Sequence, residues 1–328
     1  MVVGDWLLIE TFDGLEAASV LAVGSAPRQW KSLARTLPSQ LLPMVVEAYE
    51  RRAPTVRELP RSRHAWSRGH AHAIPLVGPS DRVHGLHFWV GQANEPPRRP
   101  RLAPFVLDGR SRRFEMCTAG LGPAFEPERS VWVGAEMFTN VERFDGALDL
   151  AAAINRAVPG SRWHGDICVR TPIGLRTGLL AARNITADPR RWHGLILDIT
   201  DTVPPQGKSF EATTVDTLVN ANPGLYLAVV DTAHVRLIRW ISTPVPGLRW
   251  SGATDERTMP HPDDRARILA ARTDILSGSP SHTVAGLRLV AEDGGWLTVD
   301  AEVSPLPYGP PDAAPPEFAL VRMELRPD

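Results

Sequence analysis

The sequence predicts an α+β (α/β) chain of three tandem blocks, each a five- or six-stranded antiparallel sheet with helices packed on one face. Three observations carry this expectation. The length of 328 residues corresponds to two or three domains of ordinary size. Among the 31 prolines, short proline-rich seams at Asn94 to Arg101 and Thr202 to Gly207 divide the chain, and neither a central strand nor a helix interior can run there. A third proline-rich stretch, Pro305 to Pro316, is flanked by strand-like runs and reads as a long hairpin loop. The blocks are therefore 1–94, 102–201 and 208–328, and each repeats the same plan of hairpin, helix and strand meander.

Each block opens on a hairpin. In the first, Trp6 to Glu10 and Ala18 to Val23 flank Asp13-Gly14; in the second, Phe105 to Leu107 and Arg113 to Met116 flank Asp108-Gly109. Asp-Gly between apolar runs signals a turn because glycine supplies positive φ. In the third, Leu225 to Val230 and Val235 to Ile241 flank Asp231 to His234. Helices follow. Trp30, Leu33 and Leu37 after Ser25, then Leu41 to Tyr49, predict two in the first block. In the second, Asp145 reads as the cap of a helix carrying Leu148, Ala151, Ile154 and Val158, stopped at Pro159-Gly160. In the third, Ile268, Leu269, Ala271, Ile275 and Leu276 form one apolar face ending at Gly278. Lys208 to Asn220 reads as a connecting helix with Phe210, Val215, Leu218 and Val219 apolar. Closing strands are expected at Leu86 to Val90, Leu195 to Ile199 and Phe318 to Leu325. The middle block has three in series: Asp166 to Arg170, Gly178 to Asn184 and Gly194 to Ile199.

Composition narrows the partners. A 43% hydrophobic content is ample for buried cores. Lys plus Arg (36) nearly cancels Asp plus Glu (37), so no charge excess argues for nucleic acid or an acidic membrane surface. No apolar run approaches a membrane span and the N-terminus lacks a signal-peptide pattern, which predicts a soluble, cytoplasmic protein. The two cysteines, Cys117 and Cys168, are too few for a disulfide scaffold and are not spaced as a zinc or redox pair.

The third block carries a family resemblance. Trp250-Ser251-Gly252 followed by Met259-Pro260-His261-Pro262-Asp263-Asp264-Arg265 resembles the W-x-G … HPDDR segment of PAS sensory domains. Glu292 to Val299 (EDGGWLTV) resembles the D-G-x-W turn and strand of the same family, and Gly224 to Asp231 stands where its first strand stands. Proline in a first helical turn and two acids at the positive helix end also explain the HPDDR run locally, which makes His261 a helix-start residue. The Asp5 to Thr11 opening, the Val83 to Trp89 strand and the three-block spacing resemble a mycobacterial (actinobacterial) group of tandem PAS–GAF–PAS sensory-type proteins lacking an output domain. The resemblance implies three tandem PAS/GAF-like domains: PAS-like over 1–94, GAF-like (or PAS-like) over 102–201 and PAS over 208–328.

The residues offer no catalytic constellation. No GxxxxGK[ST], GxSxG or HExxH motif occurs. Asn140, Phe144 and Asp145 only faintly echo the cyclic-nucleotide set of GAF domains. His64, His70, His72, His84 and His87 are the candidate metal or haem ligands. His70 and His72 would share a strand face, whereas alternation sends His84 and His87 to opposite faces, and no cysteine or acidic pair completes a site. The default for Cys168 is a small buried residue in a strand. Trp240 and Trp250 bracket the segment that walls the internal cavity of PAS domains. Trp6, Trp89, Trp132, Trp163, Trp192 and Trp296 fall in or beside strands, where core packing competes with an exposed aromatic face. Arg51, Arg52, Arg57, Arg61, Arg63 and Arg68 read as a solvated loop, with Trp66 as the one interleaved aromatic. The expectation is a non-enzymatic signalling sensor or adaptor that couples ligand or partner binding to inter-domain arrangement and acts through a separate effector protein. It has no assigned catalytic or metal residues and no cofactor. The alternative is a small-molecule or haem-binding receptor, and a degenerate enzyme comes third.

Overall fold

A computed structural model describes residues 3–60, 69–93, 95–123, 129–251, 259–308 and 315–326. Its contacts gather the chain into two compact units, residues 1–131 with 140–207, and residues 132–139 with 208–328.

The first unit holds two sheets. Strands β1 (Leu7–Glu10), β2 (Ser19–Val23), β3 (Ala26–Ser32), β4 (Thr55–Glu58), β5 (His70–Val77) and β6 (Val83–Gly91) form a six-stranded sheet in the order β3-β2-β1-β6-β5-β4. Between β3 and β4 lie α1 (Leu33–Thr36) and α2 (Leu42–Arg51). Ile9, Val20, Leu86, Phe88, Ala71 and Ala73 pack on Leu37, Leu41, Met44, Val45 and Ala48 to make one core. The central strands β1 and β6 are buried at every position, which requires a second cover on the other face.

That cover is the second sheet. Strands β7 (Leu102–Asp108), β8 (Arg113–Met116), β9 (Val131–Val133), β10 (Val141–Arg143), β11 (Arg162–Thr171), β12 (Gly174–Ile185) and β13 (Asp188–Asp198) run in the order β10-β11-β12-β13-β7-β8-β9. Helix α3 (Ala147–Arg156) lies between β10 and β11. Leu8, Phe12, Leu21 and Ala22 of the first sheet share one core with Leu102, Leu179, Ala181, Leu195 and Leu197 of the second. The sheet thus has seven strands rather than five or six. Blocks 1–94 and 102–201, which the sequence separates at the first proline seam, share one unit because the β1–β6 face has this partner. The seam itself, residues 95–101, carries neither strand nor helix.

The second unit holds α4 (Phe210–Asn220) and a sheet of β14 (Leu225–Asp231), β15 (Arg236–Trp240), β16 (His282–Val290), β17 (Trp296–Leu306) and β18 (Phe318–Leu325) in the order β15-β14-β18-β17-β16. Helix α5 (Arg265–Leu276) sends Ala271 into its core. Residues 132–139 belong to this unit: the 3-10 turn Gly134–Phe138 places Ala135 in the core, and the Arg239 guanidinium sits 5.6 Å over the Phe138 ring. The middle block therefore contributes a segment that the sequence reading kept inside it.

Two helix expectations are corrected. Residues 26–32, read as helical, form β3 instead, because the polar alternation Pro27 to Ser32 pairs with β2 and leaves only α1 for Leu33 and Leu37. Asp145 does not cap α3; its carboxylate is taken by Arg143 and Gly146 stands at the cap. The hairpins form where expected and Gly14 takes positive φ, but in the second hairpin Arg112 at φ 55° rather than Gly109 holds the left-handed position. Asp108 accepts the Arg110 and Ser111 amides, and Asp231 accepts the His234 amide at 2.6 Å. Among the described residues, no helix is long and apolar enough to cross a membrane.

Candidate functional site

A cluster of buried polar side chains, Glu10, His84, His87 and His193, lies inside the first unit, where the two sheets face each other. It begins with a register slip. Along β6, Val83, Leu86, Phe88 and Val90 enter the first core. Strict alternation would put His84 on that side too. Instead Leu76 pairs with Gly85 and Val77 with Val83, leaving His84 unpaired in a β-bulge. His84 therefore turns toward the second sheet, the same side as His87. The sequence reading placed these two histidines on opposite faces; the bulge is the physical reason they share one.

Across the interface His84 meets His193 of β13. Their rings stack at 4.7 Å between centroids with 25° between planes. His84 Nδ1 donates to Gly194 O at 3.3 Å, and His193 Nδ1 donates to Phe12 O at 3.2 Å. Each sheet thus lends an imidazole to a carbonyl of the other. Because a carbonyl only accepts, both rings carry a proton on Nδ1. His84 Nε2 is buried and has no hydrogen-bond partner among the described residues. Burial, followed by the neighbouring His193, pushes the His84 pKa down to about 3. Burial likewise pushes His193 to about 4. Both are therefore neutral at pH 7.

Two more groups border the pair. Glu10 is fully buried; its Oε2 accepts the Phe12 amide at 3.0 Å, while Oε1 has no partner among the described residues. Burial raises its pKa. His87 packs beside Trp6 at 5.7 Å, neither ring nitrogen has a hydrogen-bond partner among the described residues, and burial pushes its pKa down to about 3. Trp6 Nε1 donates to Pro97 O, so the proline seam lies across this face. These rings are bonded to backbone, stacked or enclosed by apolar side chains.

The other candidates fall elsewhere. His70 and His72 lie on β5, and His72 packs on Trp89 at 5.4 Å; His64 is outside the described residues. Among the described residues no three His, Cys, Asp or Glu side chains converge to hold a metal. Cys168 is buried in β11, Cys117 follows β8, and burial raises both thiol pKa values. Trp6, Trp89 and Trp192 are buried, whereas Trp296 is 46% exposed. Arg51 and Arg57 both bind Glu47, and Arg52 binds Asp81; Arg61, Arg63, Trp66 and Arg68 lie outside the described residues. Phe144 packs edge-on against Trp163.

The second unit has its own aromatic wall. Trp240 and Trp250 meet edge to face at 6.4 Å, and both pack with Tyr226 against the core. Trp240 Nε1 and Arg239 Nε are buried without a partner among the described residues, and burial lowers the Arg239 pKa. The HPDDR run acts in folding. His261 Nδ1 accepts the Asp263 amide at 3.2 Å, as a helix-start residue does. Asp264 is buried and accepts from Arg288 N at 3.1 Å, Arg288 Nε at 2.9 Å and Arg267 Nη1 at 3.1 Å. The Arg288 guanidinium holds the Asp264 carboxyl well below the usual carboxylate range.

The sequence reading missed Glu10, His193 and the partners of Asp264. Glu10 had a legible signal, a lone charge within the apolar run Leu7 to Ile9 followed by Thr11 and Phe12. His193 had none, since its role depends on a sheet more than a hundred residues away.

Comparison with known proteins places the chain beside relatives known by fold. Residues 5–99 match the family model described as Rv3651-like, N-terminal, and residues 214–308 match Rv3651-like, C-terminal domain. No curated protein matches the sequence. A crystal structure of an uncharacterized protein from Mycobacterium tuberculosis is similar over 99% of this chain and 97% of its own, with 21% identity and a TM-score of 0.74, which shows a shared fold. The Drosophila melanogaster Cycle PAS-B domain with bound ethylene glycol is similar at a TM-score of 0.25, with 10% identity over 31% of this chain and 99% of its own. An RNA-binding light-oxygen-voltage receptor is similar at a TM-score of 0.25, with 14% identity over 68% of this chain and 94% of its own.

Proposed function

From a chain whose two ends match the Rv3651-like N- and C-terminal models, we propose a non-enzymatic signalling adaptor of PAS/GAF type that acts by binding a protein effector. One observation carries the reading. Helix α4 has no buried residue, and it presents Phe210 at 83% and Leu218 at 59% exposure. Phe210, Thr214, Thr217 and Leu218 share one helix face that bears no charge. Large apolar side chains held on an ordered but unpacked helix suit a partner surface. Binding there would shift the population of arrangements available to the chain, and a separate polypeptide would read that shift.

The test is affinity capture with the full-length chain and with Phe210→Asp/Leu218→Asp, both first shown folded by circular dichroism. The adaptor reading expects a stoichiometric protein partner retained by the wild type and lost by the variant. Identical recovery by both forms would sink it.

A small-molecule receptor is the second reading, favoured by the unpaired Trp240 Nε1 and Arg239 Nε behind the Trp240–Trp250 wall. A buried N–H without an acceptor costs about 1–3 kcal/mol, which a bound acceptor would offset. An absorption spectrum and mass spectrometry of the denatured supernatant decide this. A stoichiometric compound, haem included, would promote the second reading over the first.

A further inference from the structure

The reciprocal histidine bonds in the first unit tie its two sheets together in a way that depends on proton count. His84 comes from the first sheet and bonds Gly194 of the second; His193 comes from the second and bonds Phe12 of the first. Beside this pair apolar side chains of the two sheets meet, Leu8 and Leu21 against Leu179 and Leu195 among them, and farther along the interface Trp30 bonds His164 and Asp13 bonds Thr186. We propose that His84 and His193 form an acid-released clasp, whose protonation frees the first sheet from the second and exposes the apolar faces between them.

The geometry supplies the mechanism. A second proton on His84 must go to Nε2, which is buried against Gly78 with no acceptor among the described residues; a Cβ built on Gly78 would stand 2.6 Å from that nitrogen. Protonating both rings would also hold two cations 4.7 Å apart. The surrounding charges add to this. Arg82, just before β6, and Arg191 on β13 oppose protonation of either ring, whereas Asp13 in the β1–β2 turn favours it at His193 alone. Glu10 on β1 bonds the Phe12 amide, and burial holds it toward its neutral form. His87 on the same face of β6 adds a third imidazole that burial keeps neutral. The closed form therefore excludes protons that the open form accepts.

The size of the effect follows from the ordinary histidine value. At pH 5 a freed imidazole with a pKa near 6.5 is protonated about thirtyfold over its neutral form. Two such rings raise the opening equilibrium roughly a thousandfold between pH 8 and pH 5.

Hydrogen exchange on the full chain, corrected for the intrinsic pH dependence of exchange, tests this. We expect amides of β1, β6 and β13 to lose protection roughly a thousandfold over that range while β14, β17 and β18 hold theirs. Asparagine places an amide donor where Nδ1 stood but does not titrate, so His84→Asn/His193→Asn should remove the pair's roughly thousandfold share of the dependence at β1, β6 and β13, leaving at most the roughly thirtyfold share of His87. Unchanged wild-type protection down to pH 5, or an equal loss in the double variant, would overturn the clasp. Should the double variant not fold, the imidazole proton resonances of the wild type decide. Protonation of both rings in step with loss of protection supports the clasp; titration of either near 6.5 with protection intact overturns it.

Discussion

At the scale of single residues, the fold is sensitive where a backbone must approach a ring. A Cβ on Gly194 would stand 2.1 Å from the Phe105 ring and 2.7 Å from Ala181 O. Neither can retreat, since Phe105 is buried and Ala181 lies in the middle of β12. Gly194→Ala should therefore cost about 1–3 kcal/mol in a denaturant titration, the usual penalty of overpacking, and an unchanged midpoint would refute the contact. Asp264 works in the opposite sense, because its value lies in what it accepts. Asp264→Ala leaves the Arg288 amide and two guanidinium groups without their carboxylate. Partial exposure of the arginines limits the loss, so about 1–3 kcal/mol is expected, with Asp264→Asn milder because its carbonyl still accepts the amide. The position of Asp264 was legible in the HPDDR run, but its partners were not. Arg288 lies 24 residues on and reaches it only once β16 has formed.

At the scale of elements, local patterns were legible where local forces decide. Helix α4 begins as its sequence asks, with Ser209 Oγ accepting the Ala212 amide. Because no residue of α4 is fully buried and only Val215, Asp216 and Val219 are half-buried, this cap carries a large share of its order. Ser209→Ala should weaken the helix by about 1 kcal/mol, raising exchange of the α4 amides about fivefold and leaving β14–β18 unchanged. A unit-wide loss of protection would show instead that α4 is packed. Segment 26–32 went the other way. Trp30, Leu33 and Leu37 have helical spacing, yet Trp30 sits at φ 25° in a strand, held by its Nε1 bond to His164 Nδ1 and by Arg162 over its ring. Those partners lie on β11, over a hundred residues away, so tertiary contact overrode a local period. The β6 bulge is similar: nothing between Val83 and Leu86 announces the slip that turns His84 across the interface.

At the scale of the whole molecule, the sequence plan of three repeated blocks correctly located three sheets but could not say which would pack together. The signal was faint, namely that β1 and β6 carry bulky side chains such as Leu8 and Trp89 on the face away from the helices too, and its meaning appears only when a second sheet supplies Leu195 and Leu197. This division gives the two units different acid windows. In the first, burial holds His84, His87 and His193 below the ordinary value of 6.5, at about 3, about 3 and about 4. The unfolded chain then binds protons that the folded unit refuses, so stability is full above about pH 6.5 and falls as pH drops toward 4. At pH 5 each histidine costs about 2 kcal/mol, a large part of a marginal fold's total. In the second unit the leading titration is that of Asp264, whose folded value lies below the usual 3.8. A depressed carboxyl contributes stability above its unfolded pKa and loses it only as pH falls below about 4. Exchange-detected unfolding across pH 8 to 3 should therefore show the β1–β13 amides failing first, below about pH 6, and the β14–β18 amides surviving to near pH 4. Simultaneous loss in both units would mean that their stabilities are not set by these groups.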